Sequence, residues 1–430
     1  MNRVAPWLTN SRWPTVPIRY LARLGTGHTP SRQHPEYWED CDTPWMTLAD
    51  VWQLRGGTVD YVHETKDMIS KLGLVNSAAV LHPAGTVMLS RTASVGFSGI
   101  MARDMATSQD FATWTCGERL HPKYLLYVLR AMAPDLRRVA AGSTHKTIYM
   151  PDIEELRMPA PSMEEQRRIA DFLDAATSSI DRLSSLTARQ LSAIEERGIE
   201  FARVMTTGTG EPDSRRTGVS WMPHMHKDWR LHRVGRVFRT GSGTTPTSSN
   251  ADYFGDGSPW VNTGDLRDGP VVDVKRSVTQ LALRDFSALK TYAPGSLVVA
   301  MYGATIGRLG ILGMRACVNQ ACCVLAESPV IDSKYAFYWF LSQRQEIIGL
   351  ASGGGQPNIS QDVIRSLRIP APRIREQRHI VAAIDTEREN QSSMCAALTR
   401  RLSLLAERRQ ALITATVTGQ IDVTAARGVG

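Results

Sequence analysis

MEEQRRIADFLD (163–174), which follows RMPAPS and runs on to EERGIEFARVMTTG (195–208), has a second copy in this chain. That copy is RIREQRHIVAAID (373–385), which follows RIPAP and runs on to AERRQALITATVTG (406–419). The two stay in register at an offset of 211 residues. Pro161 answers Pro372, Glu165-Gln166-Arg167 answers Glu376-Gln377-Arg378, Asp174 answers Asp385, Glu196-Arg197 answers Glu407-Arg408, and Gly208 answers Gly419. Gapless agreement over that length marks an internal duplication, and a duplicated element sets the domain boundaries.

Each copy predicts a long amphipathic helix. Pro159 and Pro161 stop the strand before the first copy, Ser162 is a cap, and Glu165 three residues on completes a capping box. Glu164 and Arg168 lie four apart and pair on the outer face. Apolar residues recur at Ile169, Leu173, Ala176, Ile180, Leu183, Leu186, Leu191, Ile194 and Val204, with slips near Thr187 and Gly198. About 40 residues at ~1.5 Å each give a rod of roughly 60 Å, and such a stripe needs a partner. The second copy offers a weaker stripe through Ile380, Ile384, Met394, Leu398, Leu402, Leu405 and Leu412, and starts at Arg373 where the first has its capping serine. The expected pairing is antiparallel, related by a pseudo-twofold, with Ile169, Leu173, Ile180, Leu183, Leu191, Ile384, Leu398, Leu402 and Leu405 in the helix pair or at a subunit interface. Two separate core helices, one per domain, are the alternative.

The remainder divides around these helices. Residues 1–162 and 229–373 are two globular segments, 163–208 and 374–420 the helices, 209–228 a Gly/Pro/Ser-rich connector, and 421–430 a tail. The globular segments repeat one framework. LARLGTGHTP (21–30) answers VFRTGSGTTP (237–246), Tyr37-Trp38 answers Tyr253-Phe254, GTVMLSRTASVG answers GSLVVAMYGATIG, and Lys123-Tyr124 answers Lys334-Tyr335. The β-branched and apolar runs bounded by glycine read as strands with a tight loop. HPKYLLYVLRAM has helical spacing at Tyr124, Leu125, Val128, Leu129 and Met132. The fold class is therefore α/β, mixed α+β. Between the anchors the two halves differ widely.

Composition narrows the function. Of 430 residues 42% are apolar, so the chain is globular rather than disordered, and its net charge of +8 suits a polyanionic partner without requiring one. The cysteines at 41, 116, 317, 322, 323 and 395 form no Cys-x-x-Cys pair and no zinc spacing, and read as reduced thiols of a cytoplasmic protein. Cys322-Cys323 lies in an apolar run and reads as buried. No signal peptide and no membrane span is predicted. Catalytic motifs are missing: there is no methyltransferase tetrad of the [DNS]PP[YFW] kind, no phosphate-cradling G-x-G-x-x-G or Walker loop, no H-E-x-x-H and no G-x-S-x-G. His145 beside Lys146 reads as a polar surface or phosphate contact.

A globular segment, a long helix, a second globular segment and a second long helix resemble the specificity subunit of type I restriction-modification systems. The resemblance rests on Gly-x-Thr-Pro at 27–30 and 243–246, on Pro44-Trp45 and Pro259-Trp260, and on Ser94-Val95-Gly96 and Thr305-Ile306-Gly307. It rests most on GGGQPNIS through IRSLRIPAPRIREQRHI (353–380). One departure is that AGSTHKTIYMPD (141–152) stands where the second half has ASGGGQPNISQD, without the glycine run or the Gln/Asn pair.

The resemblance implies two target recognition domains that each read half of a bipartite DNA site. The helices would set the spacing and dock two adenine-N6 methyltransferase subunits, and motor-nuclease subunits could join them. It implies no catalytic residue and no metal or cofactor in this chain. S-adenosylmethionine belongs to the methyltransferase partner, and ATP and Mg to any motor-nuclease partner.

Sequence is read at base edges, whereas phosphate contacts only position, so a reader varies loops over a fixed scaffold. Unlike halves predict an asymmetric target. The candidate DNA contacts are Arg32, Lys66, Arg91 and Lys146 in the first half, and Thr244, Lys275, Tyr302, Gln356 and Asn358 in the second. The competing reading is a coiled-coil interaction scaffold that binds no DNA.

Overall fold

A buried glutamine at the head of each long helix explains the repeated Gln of the Glu-Gln-Arg triplet. In the computed structural model, which describes residues 8, 10–141, 146–210, 213–351 and 358–423, Gln166 and Gln377 are both buried. Gln166 Oε1 accepts from His121 N at 2.9 Å while its Nε2 donates to the Arg119 and Pro161 carbonyls at 3.1 Å. Gln377 repeats this with Asp332 N, Val330 O and Pro372 O, each at 2.9 Å. Ser162 Oγ accepts from Glu165 N at 3.3 Å as a cap. At the second helix, where Arg373 replaces that serine, the glutamine fastens the start. Replacing Gln377 by alanine strands one amide and two carbonyls, and unfolding of the second unit should become easier by about 2–3 kcal/mol. Chemical denaturation followed by Trp fluorescence checks this.

The chain divides into two compact units, residues 1–189 with 399–430 and residues 190–398. Each unit thus holds one globular segment with parts of both helices, Met163–Thr207 and Ile374–Val417. Gly208 and Gly419 follow the helices with φ of 69° and 75°, the left-handed conformation that ends a helix.

In the first unit a five-stranded sheet has the order Ala22–Thr26, Phe111–Cys116, Val87–Ser90, Ser98–Met101, Tyr61–Val62. In the second the order is Thr240–Gly241, Cys322–Leu325, Leu297–Ala300, Leu309–Leu312, Gly269–Val271. Only the last pairing in each sheet is parallel. The central strands VMLS and LVVA are buried throughout, which is why each reads as a mainly apolar run, Ser90 being the polar exception. Pro122–Ala141 covers the first sheet with Tyr124, Leu125, Val128, Leu129 and Met132 all buried, and Ser333–Ser342 covers the second. Two smaller sheets hold the Pro-Trp strands, with Thr43–Met46 parallel to Ala106–Thr107 and Phe254–Val261 parallel to Ala316–Val318.

The repeated Lys-Tyr pairs fasten the sheet-covering helices to the long helices. Lys123 pairs with Asp174, and Tyr127 donates to the same carboxylate at 2.7 Å; Lys334 lies 2.6 Å from Asp385, which also accepts from Tyr338. Burial, with the neighbouring carboxylate, pushes the Tyr127 and Tyr338 hydroxyls up, so they stay donors. Tyr124 donates to Pro159 O and to Val417 O, and Tyr335 to Pro370 O and to Thr206 O. Each unit therefore contains the start of one helix and the end of the other, running antiparallel. In the first, Ile169 and Leu173 share a core with Ile413 and Val417, and Arg409 reaches Asp181 at 2.9 Å. In the second, Ala202 shares a core with Ile380 and Ile384.

Leu183 is 41% exposed and lines a groove with Ile180, Leu405 and Leu412. The inward face runs through Leu173, Thr177, Ile180 and Thr187, with the threonine hydroxyls satisfied by the Leu173 and Leu183 carbonyls. Polar threonines on the inner face mislead an apolar stripe. Ile169, Leu173, Ile180, Ile384 and Leu405 are buried, while Leu191, Leu398 and Leu402 are half-buried. The connector at 209–228 is largely a hairpin, Ser214–Val219 with Met222–His226, whose Met222 and Met225 enter the second core. The rest of the hairpin is largely polar and exposed, so its composition reads as a linker.

Candidate nucleic-acid interface

The Gly-x-Thr-Pro segments are framework. A Cβ on Gly27 would stand 1.8 Å from the Thr107 carbonyl oxygen, and one on Gly243 would stand 1.6 Å from that of Val318. Trp45 Nε1 donates to His28 O and Trp260 Nε1 to Thr244 O, both at 3.2 Å. The Pro-Trp pairs thus hold the glycine loops from behind. Thr29 hydrogen-bonds Gln109, and Thr245 hydrogen-bonds Gln320. Thr244, expected as a DNA contact, is half-buried and lends its carbonyl to this clasp.

A second repeated feature lies where the strand Val87–Ser90 or Leu297–Ala300 ends. In the first unit Thr92 bridges Thr147, Ile148 N donates to Arg91 O at 2.8 Å, and Ala93 N donates to Lys146 O at 3.2 Å. In the second, Tyr302 bridges Asn358 and Ile359 N donates to Met301 O at 2.8 Å. The corner thus pairs Thr92 with Thr147, with Arg91 and Lys146 on the two adjoining segments, and Tyr302 with Asn358. It also sets Thr147 opposite Asn358 in the repeat. A gapless alignment of 141–152 with 351–362 places Thr147 one residue early, so Thr92 and Thr147 escaped notice. Backbone hydrogen bonding, which sequence does not display, supplies the register.

Side chains at these corners differ between the units. Arg91 is half-buried and its Nη1 donates to Ile148 O at 3.3 Å, while Lys146 is exposed with φ of 47°. Tyr302 is half-buried, Asn358 is exposed, and Gly303, the residue after Tyr302, has φ of 79°. Burial pushes the Tyr302 hydroxyl up, so it remains a neutral donor and acceptor. A cation with threonines in one unit, and a phenol with an amide in the other, present different hydrogen-bonding groups on one scaffold.

The other candidates stand apart from the corners. Arg32 is exposed, its guanidinium 5.3 Å from the Trp38 ring centre. Lys66 is exposed, its backbone N donating to Asp50 at 2.7 Å, and Lys275 is exposed. Gln356 and His145 lie outside the described residues. Among the described residues no group of three His, Cys, Asp or Glu side chains is placed to hold a metal ion, and no helix is long and apolar enough to cross a membrane. Cys322 and Cys323 are buried, which pushes both thiols up to about 12.

Comparison with known proteins gives a consistent set. The family described as type I restriction modification DNA specificity domain matches residues 10–196 and 226–391. The MjaIX specificity subunit of Methanocaldococcus jannaschii is 24% identical over 336 residues, covering 76% of each chain. The EcoR124I/EcoR124II specificity subunit of Escherichia coli is 22% identical over 194 residues, 44% of this chain and 46% of that one. A chain from a structure of the type I R-M system aligns with a TM-score of 0.69 at 18% identity, covering 95% of this chain and 98% of that one, a likeness of fold.

Proposed function

Because the chain belongs to the family of type I restriction-modification DNA specificity domains, we propose that it reads a bipartite, asymmetric duplex target with one globular segment per half-site. It is the non-catalytic specificity subunit of such a system. In this reading the long helices dock two adenine-N6 methyltransferase subunits, which bring S-adenosylmethionine. Motor-nuclease subunits using ATP and Mg can join, and the complex works in the cytoplasm. The observation that supports it best is the pair of matched corners. One strand order carries Arg91, Thr92, Lys146 and Thr147 in the first unit but Tyr302 and Asn358 in the second. A fixed scaffold with exchanged hydrogen-bonding groups is what reading two unlike base sequences requires.

The methylome of cells expressing this chain with its methyltransferase partner tests the proposal. The expected result is one asymmetric motif of two half-sites with methylated adenines and a fixed spacer. A random adenine pattern would sink it. Replacing Tyr302 and Asn358 together by alanine should relax one half-site and leave the other unchanged, since a lost base contact costs about 1–3 kcal/mol. Inserting one helical turn in 175–200 should alter the spacer between half-sites. An unchanged spacer would remove the helix from the role of ruler.

A further inference from the structure

We infer that the second unit carries a phosphate-gripping track outside its variable loops, formed by Arg233, Arg236, Arg239, Arg365 and Arg368. It rests on the DNA-reading function above. The strand Arg230–Arg233 pairs with Arg368–Ala371, and the register sets Arg233 directly opposite Arg368. Like charges facing each other across a ribbon are destabilising, and both are exposed. The next turn, Val234–Val237, adds exposed Arg236. Arg365 lies over Gly235, where an added Cβ would meet its Cβ at 3.0 Å and its Nε at 3.3 Å. Arg239 then lines a cleft of about 600 Å³ together with Lys290 and Arg315, with Glu327 as its acidic wall.

Local carboxylates do not neutralise this set. Among the described residues one comes within ion-pair range, Asp362 at 3.8 Å from Arg365, and its side chain is 93% exposed. The first unit shows that the fold does not require such a concentration of charge. There Ile18 N donates to Leu156 O as Val234 N donates to Leu367 O, which fixes the correspondence. Pro17 faces Arg157 where Arg233 faces Arg368. Arg19 occupies the place of Gly235 and is paired with Glu155 at 3.0 Å. Tyr20 occupies the place of Arg236. Arg23 keeps the place of Arg239, so the first unit carries three arginines here, Arg19 of them paired with Glu155, against five in the second, of which Arg365 has Asp362 at 3.8 Å.

The chemistry selects phosphate. Guanidinium groups fork onto phosphate oxygens, and a polyanion relieves the repulsion between Arg233 and Arg368. Val234 and Phe238, interleaved with the arginines, are buried in the core, so the strip offers charge without the apolar centre of a protein interface. Such contacts add affinity without reading sequence. The target would therefore be anchored more firmly at the half-site of the second unit.

The test uses the chain assembled with its methyltransferase subunits. Arg233, Arg236, Arg239 and Arg368 are replaced together by glutamine. Binding is measured across a salt series to a duplex containing the methylated site and to a mixed-sequence duplex of equal length. The expected slope of log affinity against log salt is shallower by roughly 3, affinity falls by the same factor on both duplexes, and the methylation motif is unchanged. The four-lysine variant should keep most of the slope. Arg19→Gln with Arg157→Gln should change it less than half as much.

An unchanged slope in a folded, assembled complex would overturn the inference. Unequal losses on the two duplexes, or an altered motif, would mean that the strip reads bases. Failure to assemble in the glutamine variant alone would make it a protein-docking surface. A wild-type complex that fails to prefer its own site refutes the DNA-reading proposal, and the slope comparison still decides the track.

Discussion

Deleting residues 399–430 should unfold the first globular segment and leave the second folded. The far end of the chain completes the first core. Ile413 and Val417 are fully buried there among Ile169, Leu173 and Tyr124. Gln410 Nε2 donates to the Arg130 and Ala131 carbonyls at 3.2 and 3.1 Å, Arg409 reaches Asp181 and Gly57 O, and Arg12 N donates to Thr418 O at 2.8 Å. Each buried aliphatic contributes about 1.5–3 kcal/mol, and a domain is stable by only about 5–15 kcal/mol. Removing this set, with the cavity it leaves, exceeds what the remainder can hold. Ile413→Asp should act in the same direction by placing a carboxylate in that core. Limited proteolysis with mass spectrometry is the measurement. Cleavage should concentrate in residues 10–162, and a first segment as resistant as the wild type would refute the assignment.

Gly243→Ala should be nearly as severe, and confined to the second unit. The new Cβ would meet the Val318 carbonyl oxygen at 1.6 Å, backbone against backbone, where no rotamer gives relief. Val318 is itself held in register with Val261 on the Pro-Trp strand, so the sheet cannot yield locally. A loss of at least about 4 kcal/mol is expected, the range reserved for severe packing faults. Gly27→Ala should do the same to the first unit through Thr107, at 1.8 Å. Gly264→Ala is the control, with nothing within 4 Å of the added atom. Thermal denaturation of the three variants checks the order, and near-equal midpoints would refute the clasp.

Much of this architecture is legible in the sequence because its causes are local. A helix of 45 residues announces itself through periodicity and a closing glycine, and the second copy confirms it at a fixed offset. The buried strands and the helix at Pro122–Ala141 follow from the same patterns. What escaped has equally definite causes. Gln166 and Gln377 look like surface residues beside charged neighbours, yet each is buried by carbonyls and amides up to 47 residues away. Thr177 and Thr187 face inward because their hydroxyls are satisfied by their own helix, which removes the cost of burying them. Met222 and Met225 were hidden in a polar stretch because their neighbours Pro223 and His224 are exposed while the two methionines enter the core.

The candidate site divides in the same way. Arg91, Lys146, Tyr302 and Asn358 were picked out as polar residues between repeated anchors, and their placement at two corners, where Tyr302 pairs with Asn358 and Thr92 with Thr147, required the strand register. Thr244 was picked out by the same rule, but its carbonyl belongs to the Trp260 clasp.

By itself the sequence determined the duplication, the two long helices and the mixed α/β framework, since all of these are written as spacing along one chain of residues, and its motifs carried the resemblance to the family. Only the tertiary structure decided which segments complete which core. The end of the second helix lies 293 residues from the tyrosine that hydrogen-bonds it. No local pattern carries that information, because burial and hydrogen-bond satisfaction depend on what arrives from elsewhere in the chain.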